Sequence, residues 1–467
     1  MVTFILNNQL IHTSAPSGIA LLDFIRKEKQ LKGAKLVCKE GECGACSVLV
    51  GELTSEGMDY QSMTSCITPL VNAHGKHIVT IEGLNMKTLS PVQQAMVDFL
   101  GTQCGFCTPG FVVSLSGYLI ANPTISKAGI IAAIDGNICR CTGYKCIERA
   151  AANIVDRVND ELPKLSIAAL VDKKYIPAYF KEIPGRLKKI KAARIVNNGA
   201  IKLGGGTDLY VQRPHTMYET AAIPVYDQSS MKGVELKDDY CTFGAAETMG
   251  SLYRSAVFKE ALPNNEYIFK LLSSTQIRNM ATIGGNLVNA SPIGDFTIIL
   301  LALDSTIILE KEGKSRGLPL KEFYKGYKQI DLQEGEILTK IKFKLPSATT
   351  KFHFEKVSQR KYFDIASVNF AARFDLKEDL LQAVHLSIGG VGSIPTYLRQ
   401  TSAFLEGKKL SEDLIKAAIP ILNTEISPIS DARGSANYKR LLARQLFIAQ
   451  FLTKNDKALV LSKMIEL

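Results

Sequence analysis

Eight of the ten cysteines fall between residues 38 and 141, in two spacings that suit metal ligation. Cys38, Cys43 and Cys46 form a C-x4-C-x2-C run followed by Cys66, the ligand spacing of a plant-type 2Fe-2S centre. Three thiolates from one loop must converge on one cluster while the backbone curls round its sulfides. Gly41 and Gly44 permit the positive φ this needs. Structural zinc loops favour paired C-x2-C knuckles instead. The second set is Cys104-x2-Cys107 with Cys139-x-Cys141. Each pair sits beside an expected helix terminus, where a helix N-terminus offsets thiolate charge. By spacing alone this set suits either a second cluster or zinc. Cys146 and Cys241 have no partner at ligand spacing and read as packed thiols.

Two glycine-rich turns follow apolar runs: Lys202-Leu203-Gly204-Gly205-Gly206-Thr207-Asp208-Leu209 and Ala281-Thr282-Ile283-Gly284-Gly285-Asn286. Such turns let amides approach a pyrophosphate. Neither fits G-x-G-x-x-G or a P-loop, and taken singly each reads more readily as an ordinary tight turn. The six histidines are scattered and form no triad or metal set.

The elements that must hold these residues are legible in outline. Residues 2–11 and 46–53 alternate as strands, and residues 18–29 carry a helical period. Ser90-Pro91 and Thr108-Pro109 each supply an N-cap and a first-turn proline, for helices through Leu100 and Ile120. Further helices are expected over 126–133 and 147–158. A charged, proline-containing connector is expected as a linker over 161–180. An α/β region and then strands followed by helices complete the chain.

At 467 residues the chain is too long for one core. Hydrophobic residues are 46% and charged residues 22%, with no apolar run long enough to span a bilayer, so no membrane is expected. The N-terminal residues alternate like a strand and lack a basic segment, which predicts no secretory signal and a cytoplasmic protein. Clustered cysteines there favour metal ligation over disulfides. The net charge of +11 is dispersed except for a basic run at 186–194 without stacking aromatics, so no nucleic-acid partner is expected.

Gln103-Cys-Gly-Phe-Cys-Thr-Pro-Gly with Gly136-Asn-Ile-Cys-Arg-Cys-Thr-Gly-Tyr144 resembles the second iron–sulfur domain of the molybdenum hydroxylases, the xanthine dehydrogenase and aldehyde oxidase family. The first cysteine run is similar to that family's ferredoxin-like domain. Gly204 to Leu209, Gly244 to Thr248, Gln276 to Asn286 and Ser291 to Asp295 resemble its FAD domain. Gly389 to Pro395 and Ser427 to Ser435 resemble its flavoprotein C-terminal domain. One departure is Lys145-Cys146, where the family more often has Arg-Pro; it puts the start of the following helix in question.

The resemblance implies an α+β multidomain fold. It comprises a β-grasp 2Fe-2S domain (1–86), a helical-bundle 2Fe-2S domain (87–160), the linker, an α+β FAD-binding domain of the vanillyl-alcohol-oxidase/PCMH type (181–347) and an α/β C-terminal domain (348–467). It implies that both cysteine sets hold 2Fe-2S clusters and that Gln103 touches a molybdopterin held by a partner. FAD would lie on residues 202–209 and on Thr282, Gly285 and Asn286. Asp295 would bind its ribose or diphosphate side, Leu338 would pack on a ring, and Lys356 would lie near the flavin carbonyls. Leu272 would face the isoalloxazine. The loop 356–364 borders the nicotinamide site in the family, and its residues leave NAD binding open.

The implied function is that of the small subunit of a bacterial xanthine dehydrogenase. Such a subunit passes electrons from molybdenum on a separate large subunit through the second cluster, then the first, to FAD and NAD, within a heterotetramer or larger assembly, as hypoxanthine becomes xanthine and then urate. No residue for the hydroxylation itself is expected on this chain. The alternatives are the equivalent subunit of an aldehyde- or N-heterocycle-oxidising enzyme, or a redox sensor without turnover.

Overall fold

The computed structural model describes residues 1–162, 164–191, 200–262, 265–360 and 362–452. Residues 192–194 of the basic run, Lys361 of the loop 356–364, and residues 453–467 of the expected C-terminal domain lie outside these. The chain divides into two compact units. One comprises Met1–Asp227, Thr248–Gly250 and Ser274–Ala281; the other comprises Gln228–Glu247, Ser251–Ser273 and the residues from Thr282 onward.

In the first unit β1 (Val2–Leu6), β2 (Gln9–Thr13), β3 (Ser47–Thr54), β4 (Gly57–Thr64) and β5 (His77–Val79) form one sheet in the order β2-β1-β5-β3-β4. β5 joins β1 in parallel and β3 in antiparallel fashion. The helix expected over 18–29 is only Leu21–Asp23, running on into a wider helical turn Phe24–Glu28. Leu21, Leu22, Phe24 and Ile25 fill its inner side.

The helix Pro91–Asp98 starts in a full capping box between Ser90 and Gln93, which satisfies two otherwise orphaned donors. For the next helix, Thr108–Ala121, the cap is Cys107 rather than Thr108. The Thr108 hydroxyl is instead tied to that of Thr102 at 2.8 Å. This helix is apolar on all sides, with buried residues from Gly110 to Leu119, so it belongs in the middle of a core. Lys127–Ala133 is capped by Ser126. Lys145–Glu161 buries Ile147, Ala150, Ala151, Ile154, Val155 and Val158 at helical spacing. Its start, which the Lys145-Cys146 departure left in question, follows directly on Tyr144 at φ 68°.

The segment expected as a linker is packed. Within 161–180 lie the helix Ile167–Asp172 and the short turn Ala178–Lys181, and Leu170, Tyr175, Ile176 and Phe180 are at most 2% exposed. These four join the core of the helical bundle. Their apolar bulk outweighs the charged composition that suggested a connector. The strands β6 (Ile201–Leu203) and β7 (Ala222–Pro224), paired in parallel, complete this unit.

In the second unit β8 (Val234–Lys237), β9 (Tyr240–Gly244), β10 (Thr306–Lys311) and β11 (Lys314–Pro319) are joined, after the small hairpin β12 (Tyr324–Gly326) and β13 (Gln329–Ile330), by β14 (Ile337–Lys344). The sheet order is β11-β10-β14-β9-β8. A second sheet of β15 (Thr350–Val357), β16 (Val368–Lys377), β17 (Leu380–Gly389) and β18 (Thr396–Tyr397) is antiparallel throughout. It shares a core with the helices Arg399–Leu405, Glu412–Glu425 and Ala436–Ala449. Among the described residues no helix is long and apolar enough to cross a membrane.

His77 is fully buried on β5. Its Nδ1 lies 2.7 Å from the Tyr60 hydroxyl and its Nε2 lies 2.9 Å from the Asn7 carbonyl oxygen. Burial pushes its pKa down to about 3. The unfolded chain, with an ordinary imidazole, takes up a proton that the folded chain refuses, so this contribution to stability is present above pH 6.5 and is lost as pH falls from there toward 3. We expect urea unfolding of this unit to be about 2 kcal/mol less favourable to the folded state at pH 5 than at pH 7.5. A His77→Gln variant, whatever its baseline, should lack that part of the slope.

Candidate metal and flavin sites

The loop carrying Cys38, Cys43 and Cys46 leaves the sheet before β3 and curls through three positive-φ residues: Lys39 (62°), Gly41 (77°) and Gly44 (65°). Cys66 faces it from the turn after β4. The four thiols meet: Cys43 and then Cys66 draw the Cys38 pKa far down as hydrogen-bond partners, and the single Cys66 S–H has Cys46 as its alternative acceptor. The donors Cys43 and Cys66 are correspondingly pushed up, each first by the thiolate that it serves and then by burial. Backbone N–H groups add to this; that of Glu40 lies 3.4 Å from Cys38 Sγ. Four sulfurs brought this close can all be thiolates only with a cation among them.

The second set is built at two helix starts. Cys107 caps Thr108–Ala121, and the Cys139–Cys141 turn precedes Lys145–Glu161. Cys104 and Cys141 sulfurs are 3.5 Å apart. The Phe106 N–H first, and the Cys141 thiol next, draw the Cys104 pKa down. Burial raises Cys139, but the Thr142 hydroxyl, 3.0 Å from its sulfur, and nearby N–H groups outweigh it. Burial pushes Cys107 up to about 12. Tyr144 holds the turn by accepting the Cys139 N–H at 3.1 Å.

Among the described residues no group of three or more His, Cys, Asp or Glu side chains is arranged to hold a single metal ion. The pairs Cys104/Cys141 and Cys107/Cys139 are what a two-iron rhomb takes, one pair per iron. Cys46, Cys66 and Cys139 are buried and Cys38, Cys43 and Cys107 half-buried, whereas Cys104 and Cys141 are exposed. Gln103 beside them is exposed as well. Cys146 sits in its helix with its sulfur toward the Thr142 carbonyl, and Cys241 is enclosed on β9.

The two cysteine loops touch. The Ile138 N–H donates to the Cys43 carbonyl at 3.0 Å, one residue from Cys139. A Cβ on Gly44 would lie 2.4 Å from the Gly136 oxygen, so glycine is required there twice over, by φ and by space.

The first glycine turn follows β6. Leu203 is buried, Lys202 exposed, and Thr207, Asp208 and Leu209 half-buried. Gly204 accepts from the Asn72 side chain at 2.9 Å, and a Cβ on Gly205 would meet the Met280 oxygen at 1.9 Å. Gly206, at φ 81°, lies against Pro69, three residues after Cys66.

The second turn, in the other unit, opens the helix Ile283–Asn289. The Thr282 hydroxyl accepts the Gly285 N–H, and Asn286 accepts from the Thr297 hydroxyl at 3.0 Å. Leu338 is buried on β14, and Leu272 is buried beyond the helix Asn265–Leu271. Asp295 and Lys356 come together at 2.7 Å, with side chains 14% and 2% exposed. Lys356 also donates to the Leu271 carbonyl at 2.8 Å, and Asn369 donates to the other Asp295 oxygen at 2.5 Å. Burial raises the Asp295 pKa against the pull of Lys356.

Neither Asn369 nor Asn137, which touches the Cys43–Cys46 loop at Gly44, was among the sequence candidates. Asn137 stood inside the quoted second motif. Asn369 carried only the sign of an inward-facing amide in an apolar strand.

The donor sets therefore fit 2Fe-2S clusters, and the glycine turns present the close backbone approach that a diphosphate requires. When bound, the clusters would supply one-electron carriage and FAD the conversion between one- and two-electron steps.

A Gly44→Ala variant should strain the junction by about 1–3 kcal/mol and lower the iron content of the purified chain, measured by iron and sulfide analysis. Lys356→Met strands the buried Asp295 carboxylate and should cost about 3–5 kcal/mol in thermal or urea unfolding. Adding Asp295→Leu should recover most of that, because the pair then leaves no lone charge.

Four family models match the chain in succession. They are the 2Fe-2S iron-sulfur cluster binding domain (residues 4–71), the [2Fe-2S] binding domain (80–152), the FAD binding domain in molybdopterin dehydrogenase (175–347) and the CO dehydrogenase flavoprotein C-terminal domain (353–453). The xanthine dehydrogenase of Emericella nidulans is 27% identical over 96% of this chain and 38% of its own length. That of Blastobotrys adeninivorans is 28% identical over 98% of this chain and 41% of its own; the chain thus spans about two-fifths of these curated relatives. A solved structure of the carbon monoxide dehydrogenase of Hydrogenophaga pseudoflava, lacking the Mo-pyranopterin moiety, covers 53% of this chain and 86% of its own, at a TM-score of 0.51 and 23% identity, and shares the fold over that stretch. The chain thus carries, in order, two 2Fe-2S domains, an FAD-binding domain of the molybdopterin dehydrogenase type and a CO dehydrogenase flavoprotein C-terminal domain.

Proposed function

We propose that this chain is the electron-transfer subunit of a xanthine dehydrogenase. It would take electrons from a molybdopterin-binding large subunit, which hydroxylates hypoxanthine and xanthine in purine catabolism, and deliver them to NAD in the cytoplasm. The observation that carries the reading is the joining of the two cysteine sets through Ile138 and Cys43, with two cysteines of the second set, Cys104 and Cys141, exposed and none of the first set so.

The eight cysteines act as ligands, the set of Cys104, Cys107, Cys139 and Cys141 receiving electrons and the set of Cys38, Cys43, Cys46 and Cys66 passing them on. Around the second set stand Leu100, Phe106, Ile138 and Tyr144, large apolar side chains between 38% and 73% exposed. An apolar surface of that kind suits a partner subunit, placed so that Gln103 reaches the molybdopterin. Residues 202–209, and with them Thr282, Gly285 and Asn286, serve the FAD diphosphate. The Asp295–Lys356 pair, with Leu338, fixes polar and ring contacts of the flavin. The assembly is a heterotetramer or larger, and the xanthine dehydrogenase relatives favour a purine over an aldehyde or other heterocycle.

The test is anaerobic purification with the co-expressed large subunit, then visible spectra during addition of xanthine and afterwards NAD. About four irons and one FAD per chain, bleached by xanthine and restored by NAD, are the expected result. Bleaching only by an aldehyde or another heterocycle would remove the purine assignment. Zinc in either cysteine set, or a chain without flavin, would overturn electron transfer altogether.

A further inference from the structure

Residues Ser274–Ala281 lie within the stretch matched by the FAD-binding family model, yet they are part of the unit that carries both cysteine sets. There the short helix Thr275–Arg278, capped by Ser274, reaches the turn that leads to Cys139. Arg278 pairs with Asp135 at 3.1 Å, and the Thr275 N–H donates to the same carboxylate at 2.8 Å. Asn279 donates to the Ser62 carbonyl at 3.0 Å, on β4.

Gln276 is completely buried at the centre of these contacts. Its amide nitrogen lies 3.2 Å from the Ser114 hydroxyl, 3.1 Å from the Ala133 carbonyl and 3.0 Å from the Asn137 side-chain oxygen. The Ala133 carbonyl can only accept, which fixes the orientation of the amide. Asn137 in turn donates to the Gly44 carbonyl at 3.2 Å and to the Ser47 hydroxyl at 3.4 Å. A Cβ on Gly136 would lie 2.1 Å from Gln276 Oε1, so the backbone is drawn up to this side chain as closely as glycine allows. One chain of hydrogen bonds therefore runs from Gln276 through Asn137 to the loop of Cys43 and Cys46, flanking the Ile138 N–H to Cys43 carbonyl bond. The network leaves Gln276 Oε1 buried without a hydrogen-bond partner, and turning the amide over would set that oxygen against the Ala133 carbonyl and lose the bond to it.

We propose that Gln276 is a positioning residue which, through Asn137, holds the two cysteine loops in register and so sets electron transfer between their clusters. The proposal rests on the reading that both sets hold 2Fe-2S clusters. A segment supplied by the FAD-binding sequence thereby governs a junction between the two iron–sulfur domains.

The test uses the full chain, isolated anaerobically with its cofactors, and the variants Gln276→Glu and Gln276→Met. Electron paramagnetic resonance of the dithionite-reduced protein reads the mutual splitting of the two cluster signals. A pulse of photoreduced deazaflavin reads how fast the clusters exchange an electron. We expect both variants to retain iron, with narrowed splitting and exchange slower by about tenfold, as for other outer partners of a metal site. Unchanged splitting and rate in Gln276→Glu would overturn the proposal. So would iron loss from both variants, which would make the segment a retention element instead. A wild-type chain without two cluster signals would fail at the earlier step, overturning the cluster reading and this inference with it.

Discussion

The close approach of two backbone loops, each bearing thiolates, is the constraint around which the first unit is organised. A hydrogen bond from Ile138 to Cys43 can form only if neither loop carries a side chain at the contact. Gly44, Gly110 and Gly136 meet that requirement, since a Cβ on Gly110 would lie 2.4 Å from the Gly44 oxygen. The rest follows from bringing such loops together and keeping them there. The apolar helix Thr108–Ala121 packs against β3 and β4, placing Cys107 at its start near the loop that precedes β3. The segment 161–180 closes over the same core with Phe180 against Tyr60 and His77. Rigidity is the physical end served, because electron exchange between fixed centres depends on their separation and needs no acid or base. His77, the fully buried histidine of β5, accordingly serves packing, against Tyr60, Tyr179 and Phe180.

The second unit solves a different electrostatic problem. A lysine and an aspartate buried together cost desolvation that their attraction alone need not repay, so the pair is held by further hydrogen bonds. Leu271 accepts from Lys356, and Asn369 donates to Asp295. Gly389 leaves room for Asn369, whose Oδ1 would stand 2.3 Å from a Cβ there. The helix that begins at Asp295 is apolar and enclosed from Phe296 to Ala302, which anchors the carboxylate at the edge of a rigid core. The arrangement contrasts with the thiols, where charge is concentrated on one sign of group.

Much of this was legible in the residues. Cysteine spacing marked both thiol sets, and alternation and capping signals placed β1, β3 and the helices at Pro91 and Thr108. The failures share a cause. A composition rich in charge and proline made 161–180 read as a linker, but four large apolar side chains suffice to dock a segment, and averages conceal them. The helix over 18–29 was shortened because its buried residues cluster at Leu21–Ile25 rather than repeating along the whole stretch. The roles of Asn137, Gln276 and Asn369 were invisible for a deeper reason. An amide shows no preference for a particular neighbour until the fold supplies one, and Gln276 meets Asn137 across 139 residues of chain.

The difference in exposure between the two thiol sets bears on direction. Charge placed on an enclosed centre is stabilised by fixed dipoles and little solvent, whereas an exposed one depends on whatever covers it. The first set, none of whose cysteines is exposed, has dipoles in place: the curled loop at Lys39, Gly41 and Gly44 brings the Glu40 N–H to Cys38 sulfur, and Pro69, three residues after Cys66, lies against Gly206. The second set has Thr142 on Cys139, but Cys104 and Cys141 look outward among apolar side chains. On the proposed reading, a partner that buried Phe106, Ile138 and Tyr144 would remove water from that set and lower its surrounding dielectric. Docking would then alter the potential of the second cluster far more than that of the first. The driving force between the two would become a property of the assembled enzyme, and electrons would move inward efficiently only once the partner that supplies them is in place.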